Sequence, residues 1–93
     1  MSAVACAYCK TRRGHQVDHL INSNQSRRSP AAARERNNPK YMVPCCRFCN
    51  EAKGTRCRVP VGYAGLIPEL EALTHNVYAT FDGSAEDLRR VVR

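Results

Sequence analysis

Between Gln16 and Ile21 a single apolar residue, Val17, sits among polar neighbours and an apolar pair closes the run, a pattern that predicts a short strand. Asn22 to Ser29 is polar and predicts a loop. Ser29-Pro30 reads as an N-cap followed by proline at the first helical position, so Ala31 to Arg36 is expected to form a short helix. Asn37-Asn38-Pro39 stops it. Tyr41-Met42-Val43 predicts a second strand closed by Pro44, and the two strands would make a hairpin with a long connection. A helix is expected from Cys49 to Thr55.

The remainder has a different character. Pro60 to Pro68 is rich in Gly and Pro and reads as irregular. Pro68 to Thr74 predicts a helix, Asn76 to Phe81 a strand and Asp82-Gly83 a turn. Ser84 to Asp87 would open a final helix with Leu88, Val91 and Val92 on one side. The fold class expected is α+β: a first unit over residues 1–58 and a C-terminal strand and helix extension over 59–93 packed on it.

Six cysteines change this picture. Four form two Cys-x-x-Cys pairs, Cys6/Cys9 and Cys46/Cys49, a spacing that suits four thiolates around one tetrahedral Zn²⁺. Cys45 and Cys49 would make an alternative pair, but 46/49 matches the spacing of 6/9. Cys57 has no partner at that spacing. A chain of 93 residues without Trp has a thin core, and a structural metal is a sensible supplement. Residues 1–6 lack a charged segment followed by an apolar run, so no signal peptide is expected. No stretch approaches a membrane span. A cytoplasmic protein with reduced thiols, away from membranes, is the reading.

Charge points to the partner. Fifteen Lys and Arg against eight Asp and Glu leave a formal charge of +7, which suits a polyanion such as nucleic acid. Basic residues gather at Lys10, Arg12 and Arg13, at Arg27 and Arg28, at Arg34 and Arg36, and at Lys53, Arg56 and Arg58. Contacts would be mainly to phosphates, with little base reading.

Between the cysteine pairs lies Asp18-His19, and the second pair runs into Asn50-Glu51-Ala52-Lys53. Asp and Asn oxygens suit one hard cation that keeps open positions. A neutral imidazole can take a proton from water. On a regular strand Asp18 and His19 face opposite ways, and Asn50 and Lys53 share a helical face.

The text Cys6-Ala7-Tyr8-Cys9, Val17-Asp18-His19-Leu20-Ile21 and Cys46-Arg47-Phe48-Cys49-Asn50-Glu51-Ala52-Lys53-Gly54 resembles the HNH endonucleases, a branch of the ββα-metal (His-Me finger) nucleases. The resemblance covers residues 6–54. It implies a β-hairpin packed on a helix and closed by zinc knuckles. It also implies a DNA phosphodiester hydrolase in which Asp18 and Asn50 hold one catalytic divalent ion (Mg²⁺, Mn²⁺ or Ni²⁺), His19 is the general base and Lys53 contacts phosphate. Stand-alone chains of this kind resemble those of phages and mobile elements. The family's middle Asn position falls on Tyr41 here, so Asn37, Asn38 or a backbone carbonyl would have to orient His19. The rival reading is a non-catalytic zinc-ribbon-like module that binds nucleic acid or protein.

Overall fold

The computed structural model describes residues 4–83. The first strand, β1, runs Gln16–His19 and is shorter than its hydrophobic pattern predicts. Leu20 and Ile21 leave the strand and turn into the core, where they are fully buried. β2, Met42–Cys45, pairs with β1 in antiparallel register and sets Asp18 against Val43 and His19 against Met42. Pro44 lies inside β2 rather than closing it. A two-stranded sheet tolerates this because one side of each strand needs no ladder donor. The Pro44 carbonyl accepts from the Ala7 N–H at 2.9 Å, so the first cysteine knuckle lies along that free edge.

The connection between the strands is helical. α1, Ser23–Arg28, occupies the stretch whose polar composition predicts a loop. Its cause is a capping box: the Gln25 N–H donates to Asn22 Oδ1 and the Asn22 N–H to Gln25 Oε1, both at 2.9 Å. α2, Pro30–Glu35, begins as its sequence predicts, with the Ser29 hydroxyl accepting from the Ala32 N–H at 3.2 Å. A 3₁₀ turn, Pro39–Tyr41, leads into β2, so Tyr41 precedes the strand.

α3, Arg47–Lys53, starts earlier than the predicted Cys49 because Cys46 is its N-cap, its Sγ accepting from the Cys49 N–H at 3.4 Å. α3 packs on β1. Beyond it, β3 (Arg58–Pro60) and β4 (Ala79–Phe81) pair in parallel, Val59 against Thr80. A 3₁₀ segment, Val61–Leu66, and α4, Ile67–Thr74, make the crossover. The 3₁₀ segment fills most of the Gly- and Pro-rich stretch that reads as irregular. The expected final helix from Ser84 lies outside the described residues.

Val59, Leu70, Tyr78 and Phe81 from this second part join Leu20, Ile21 and Val43 from the first in one buried cluster. Among the described residues no helix is long and apolar enough to cross a membrane. Tyr41 pins the hairpin to α4. It is 5 % exposed, and its hydroxyl donates to Glu69 Oε1 at 2.6 Å. Lys40 meets the same oxygen at 2.6 Å. Burial, then the hydrogen bond to Glu69, push the Tyr41 hydroxyl up to about 12, so it stays a donor.

The position where the resembling family carries its middle Asn is therefore a packing position here. Tyr41→Phe is expected to lose one hydrogen bond, about 1 kcal/mol. Tyr41→Asn is expected to lose the buried ring as well, about 3 kcal/mol or more. Urea unfolding measures both; an Asn variant as stable as the parent would remove Tyr41 from the core.

Candidate functional site

The Sγ atoms of Cys6, Cys9, Cys46 and Cys49 lie within 4.8 Å of one another. This is the sequence-predicted set, and it can hold a metal such as zinc. A tetrahedron with Zn–S near 2.3 Å places its sulfurs about 3.8 Å apart, and Cys9 Sγ is 3.9 Å from Cys46 Sγ. All the cysteines are free thiols. The first knuckle is held as a small loop by Cys6 N–H to the Arg12 carbonyl at 2.8 Å and Lys10 N–H to the Cys6 carbonyl at 3.0 Å, with Lys10 at a left-handed φ of 63°.

The clustered thiols differ sharply in acidity. Burial raises Cys9, but hydrogen bonds from the Thr11 side chain and from the Thr11 and Arg12 backbone outweigh it and bring the thiol down to about 6. Cys49 is pushed far up by burial and then by its Cys46 neighbour. Packed sulfurs cannot all ionise beside one another, and a divalent cation removes that conflict. Cys45 points elsewhere: burial, then the charge of Asp18, push it up to about 12, so it remains a thiol. Burial also raises Cys57, whose Sγ accepts from Gln25 Nε2 at 2.9 Å.

A residue that spacing rules miss closes this site. Gly83, at φ 72°, packs so closely that a Cβ there would lie 2.9 Å from Cys49 Sγ and 2.9 Å from Cys9 Cβ. Only glycine fits both the backbone angle and the approach. Phe81, two residues earlier, stacks at a tilt on Tyr8 of the first knuckle, ring centroids 5.6 Å apart.

Asp18 and Lys53 are together, but not as a phosphate clamp. Lys53 Nζ meets Asp18 Oδ2 at 2.5 Å with both side chains buried. The Tyr8 hydroxyl donates to the same oxygen. Burial, then the Asp18 carboxylate, hold the Tyr8 hydroxyl far above its ordinary pKa, so it is a permanent donor. The expectation that Lys53 contacts phosphate needs correction for this structure: its ammonium is turned inward by the one carboxylate on the facing strand, where solvent does not reach.

Asn50 and Asp18 both lie on the α3 side of β1, and Gln16 joins them. Asn50 Nδ2 donates to Gln16 Oε1 at 2.9 Å, which turns Asn50 Oδ1 away as a carbonyl acceptor. Gln16 is two residues before Asp18 and so shares its strand face; that offset was the available signal for it. His19 diverges from Asp18. Its Nε2 lies 3.2 Å from Asn37 Oδ1. Asn37, and not Asn38 or a backbone carbonyl, is thus its partner; Asn38 caps the 3₁₀ turn and bonds Glu35.

The basic residues are dispersed. Arg27 and Arg28 are exposed at the end of α1, Arg27 donating to Asn24 Oδ1. Arg56 is half-buried. Beside Asn37, the Nε of Arg36 is a buried donor without a partner among the described residues. Among those residues no further group of three or more His, Cys, Asp or Glu stands ready for a metal.

No protein-family model, curated protein or solved structure matches the chain.

Replacing Cys6, Cys9, Cys46 or Cys49 by Ser is expected to abolish zinc binding and unfold the domain, whereas Cys45→Ala and Cys57→Ala should keep full zinc content by metal analysis. Gly83→Ala should hasten zinc transfer to a chromogenic chelator. Lys53→Ala should cost about 3–5 kcal/mol by chemical unfolding, because it strands a buried carboxylate. Loss of stability below about 1 kcal/mol, the range of a surface pair, would show that the Asp18 pair is solvated.

Proposed function

We propose that this protein is a metal-dependent endonuclease of the HNH type that hydrolyses DNA phosphodiester bonds on a zinc-anchored scaffold. The observation that supports it most is that Asp18 and Asn50 lie on one side of a strand that ends in His19, its ring held by Asn37, beside a helix whose N-cap belongs to the cysteine cluster. Asp18 and Asn50 share the α3 side of β1, and His19 ends that strand with an Asn at its ring.

The donors fit a hard cation in part. Asn50 offers Oδ1, and Asp18 offers the oxygen that Tyr8 and Lys53 do not take. Oxygen donors few enough to leave positions for water and phosphate suit Mg²⁺ or Mn²⁺. The Lys53 ammonium on the same carboxylate lowers the attraction, so a cation at Asp18 competes with it or displaces it. When bound, such an ion supplies charge stabilisation at the scissile phosphate.

The chain's own groups do the rest. Asn37 fixes the plane of the His19 ring, and the other ring nitrogen, Nδ1, is the atom that takes the proton from water. Gln16 holds the Asn50 amide in one orientation. Exposed Arg27 and Arg28 bring phosphate contacts, and the +7 charge draws the polyanion. Cytoplasmic DNA is the substrate this reading implies. One observation favours the rival, a non-catalytic zinc-ribbon-like module: the buried Asp18–Lys53 pair gives both residues a purely structural use.

Plasmid cleavage by zinc-loaded protein in Mg²⁺, Mn²⁺ or Ni²⁺ separates the two. His19→Ala should lose about 10²–10⁴-fold in rate with zinc content and melting temperature unchanged. Asn37→Ala should lose less, since it orients the base without replacing it. Asp18→Ala and Asn50→Ala should be inactive, with Asn50→Ala partly rescued by raised metal. Folded, zinc-loaded parent protein that cuts neither single- nor double-stranded DNA with any of these ions would leave the binding module as the answer. DNA affinity should fall steeply between low and moderate salt for the nuclease and for a nucleic-acid-binding module alike.

A further inference from the structure

The two knuckles meet on the outside of the cysteine cluster as well as inside it. Arg12, from the turn after Cys9, lies with its guanidinium carbon 4.8 Å above the ring of Phe48. Phe48 sits between the ligand positions Cys46 and Cys49 on the first turn of α3. Even with Arg12 over one face, Phe48 is 57 % exposed. Lys10, Arg12 and Arg13 on the first knuckle and Arg47 next to Phe48 in the chain are exposed too, Arg47 pairing with Glu51 at 3.1 Å.

The usual account of such an aromatic is incidental exposure, with Arg12 covering what it can. Three features go beyond that. The ring is carried by a backbone that the cysteine cluster fixes on both sides, so little ordering is left to do on binding. The Arg12 carbonyl is held by the Cys6 N–H at 2.8 Å, so the cation over the ring is also anchored to the cluster. One cation lies over the ring and further basic residues flank it in sequence, so an apolar protein partner would find little complement, whereas a base attached to a phosphate would find both of its needs.

We propose that Phe48 and Arg12 form a stacking platform for one unpaired nucleobase, with Lys10, Arg13 and Arg47 following the adjacent phosphates. The ligand class is single-stranded nucleic acid, or a strand end opened out of a duplex. A base in a duplex has both faces covered by its neighbours and cannot use the platform. The inference rests on the nucleic-acid partner proposed above but not on cleavage, and it adds a contact that charge alone does not supply.

The test uses the zinc-loaded chain without added divalent ion, so that no strand is cut, and a dye-labelled twelve-residue oligothymidylate. Stacking by one base is worth about 5- to 150-fold in affinity. Phe48→Leu, which keeps an apolar side chain but no π face, should lose affinity in that range, while Phe48→Tyr should retain it. The salt slope of Phe48→Leu should match the parent, since no phosphate contact is removed; that of Arg12→Gln should be shallower. The chain has no Trp, so the indole introduced by Phe48→Trp is a sole reporter and should be quenched on binding. Affinity for a blunt duplex should change less than twofold in Phe48→Leu. Equal losses on single strand and duplex, or a Leu variant that binds like the parent, would overturn the platform. Parent protein that binds no oligonucleotide at all would overturn the nucleic-acid reading itself.

Discussion

Four sulfurs drawn within 4.8 Å of one another tie together residues forty positions apart in the chain, and most of the architecture depends on that closure. Cys46 is both a member of the cluster and the N-cap of α3. The first knuckle lies on the free edge of β2 through the Ala7–Pro44 hydrogen bond. Gly83 packs against Cys9 and Cys49 from the far end of the described chain. Hairpin, helix and the stretch that follows β4 therefore all meet the cluster or its knuckles. Without a cation the same closeness works against folding, because thiolates repel and buried thiols resist ionisation. With a metal bound, the cluster would fix the fold and link folding to metal supply.

The cluster also sets the polar interior. Tyr8 stands inside the first knuckle, so its hydroxyl is delivered to Asp18 by the same loop that delivers Cys6 and Cys9. Lys53 is delivered to Asp18 from the end of the helix that Cys46 starts. A carboxylate with two donors on one oxygen, and little solvent, is held rigidly. Rigidity suits a metal ligand, but the ammonium does not, and this opposition is the main chemical tension in the nuclease reading. A cation that bound Asp18 would have to offset the attraction of Lys53, so metal affinity and protein stability draw on the same carboxylate.

Much of this was legible in the chain. Paired spacing picked out the four clustered cysteines, and the Ser29-Pro30 signal placed α2. Alternation placed β1, although it ran two residues too far, because Leu20 and Ile21 are apolar for the core and not for a strand face. α1 was missed because polarity outweighed the Asn22–Gln25 capping box, a signal that was present. Lys53 was misplaced for a different reason. The resemblance makes it a phosphate contact, and only the tertiary placement of Asp18 across from it turns it inward. Gly83 carries no local signature and matters through Cys9 and Cys49, distant in sequence, whereas Gln16 is signalled only by its two-residue offset from Asp18.

His19 and Tyr41 show how a polar contact to an imidazole can come from the connection between two strands rather than from the strand that faces it. Tyr41 is committed to the core and to Glu69, so it cannot reach the imidazole. The turn that Tyr41 anchors is preceded by Asn37-Asn38-Pro39, and the end of α2 brings Asn37 to the ring instead. Asn38 is spent on capping that turn. The two adjacent asparagines thus divide the work: one ends the connection in a defined geometry, and the other uses that geometry to hold His19. Orientation of the imidazole then depends on the packing of α2 and the 3₁₀ turn rather than on a neighbouring strand residue, and a change that loosens Tyr41 in the core is felt at His19 through Asn37.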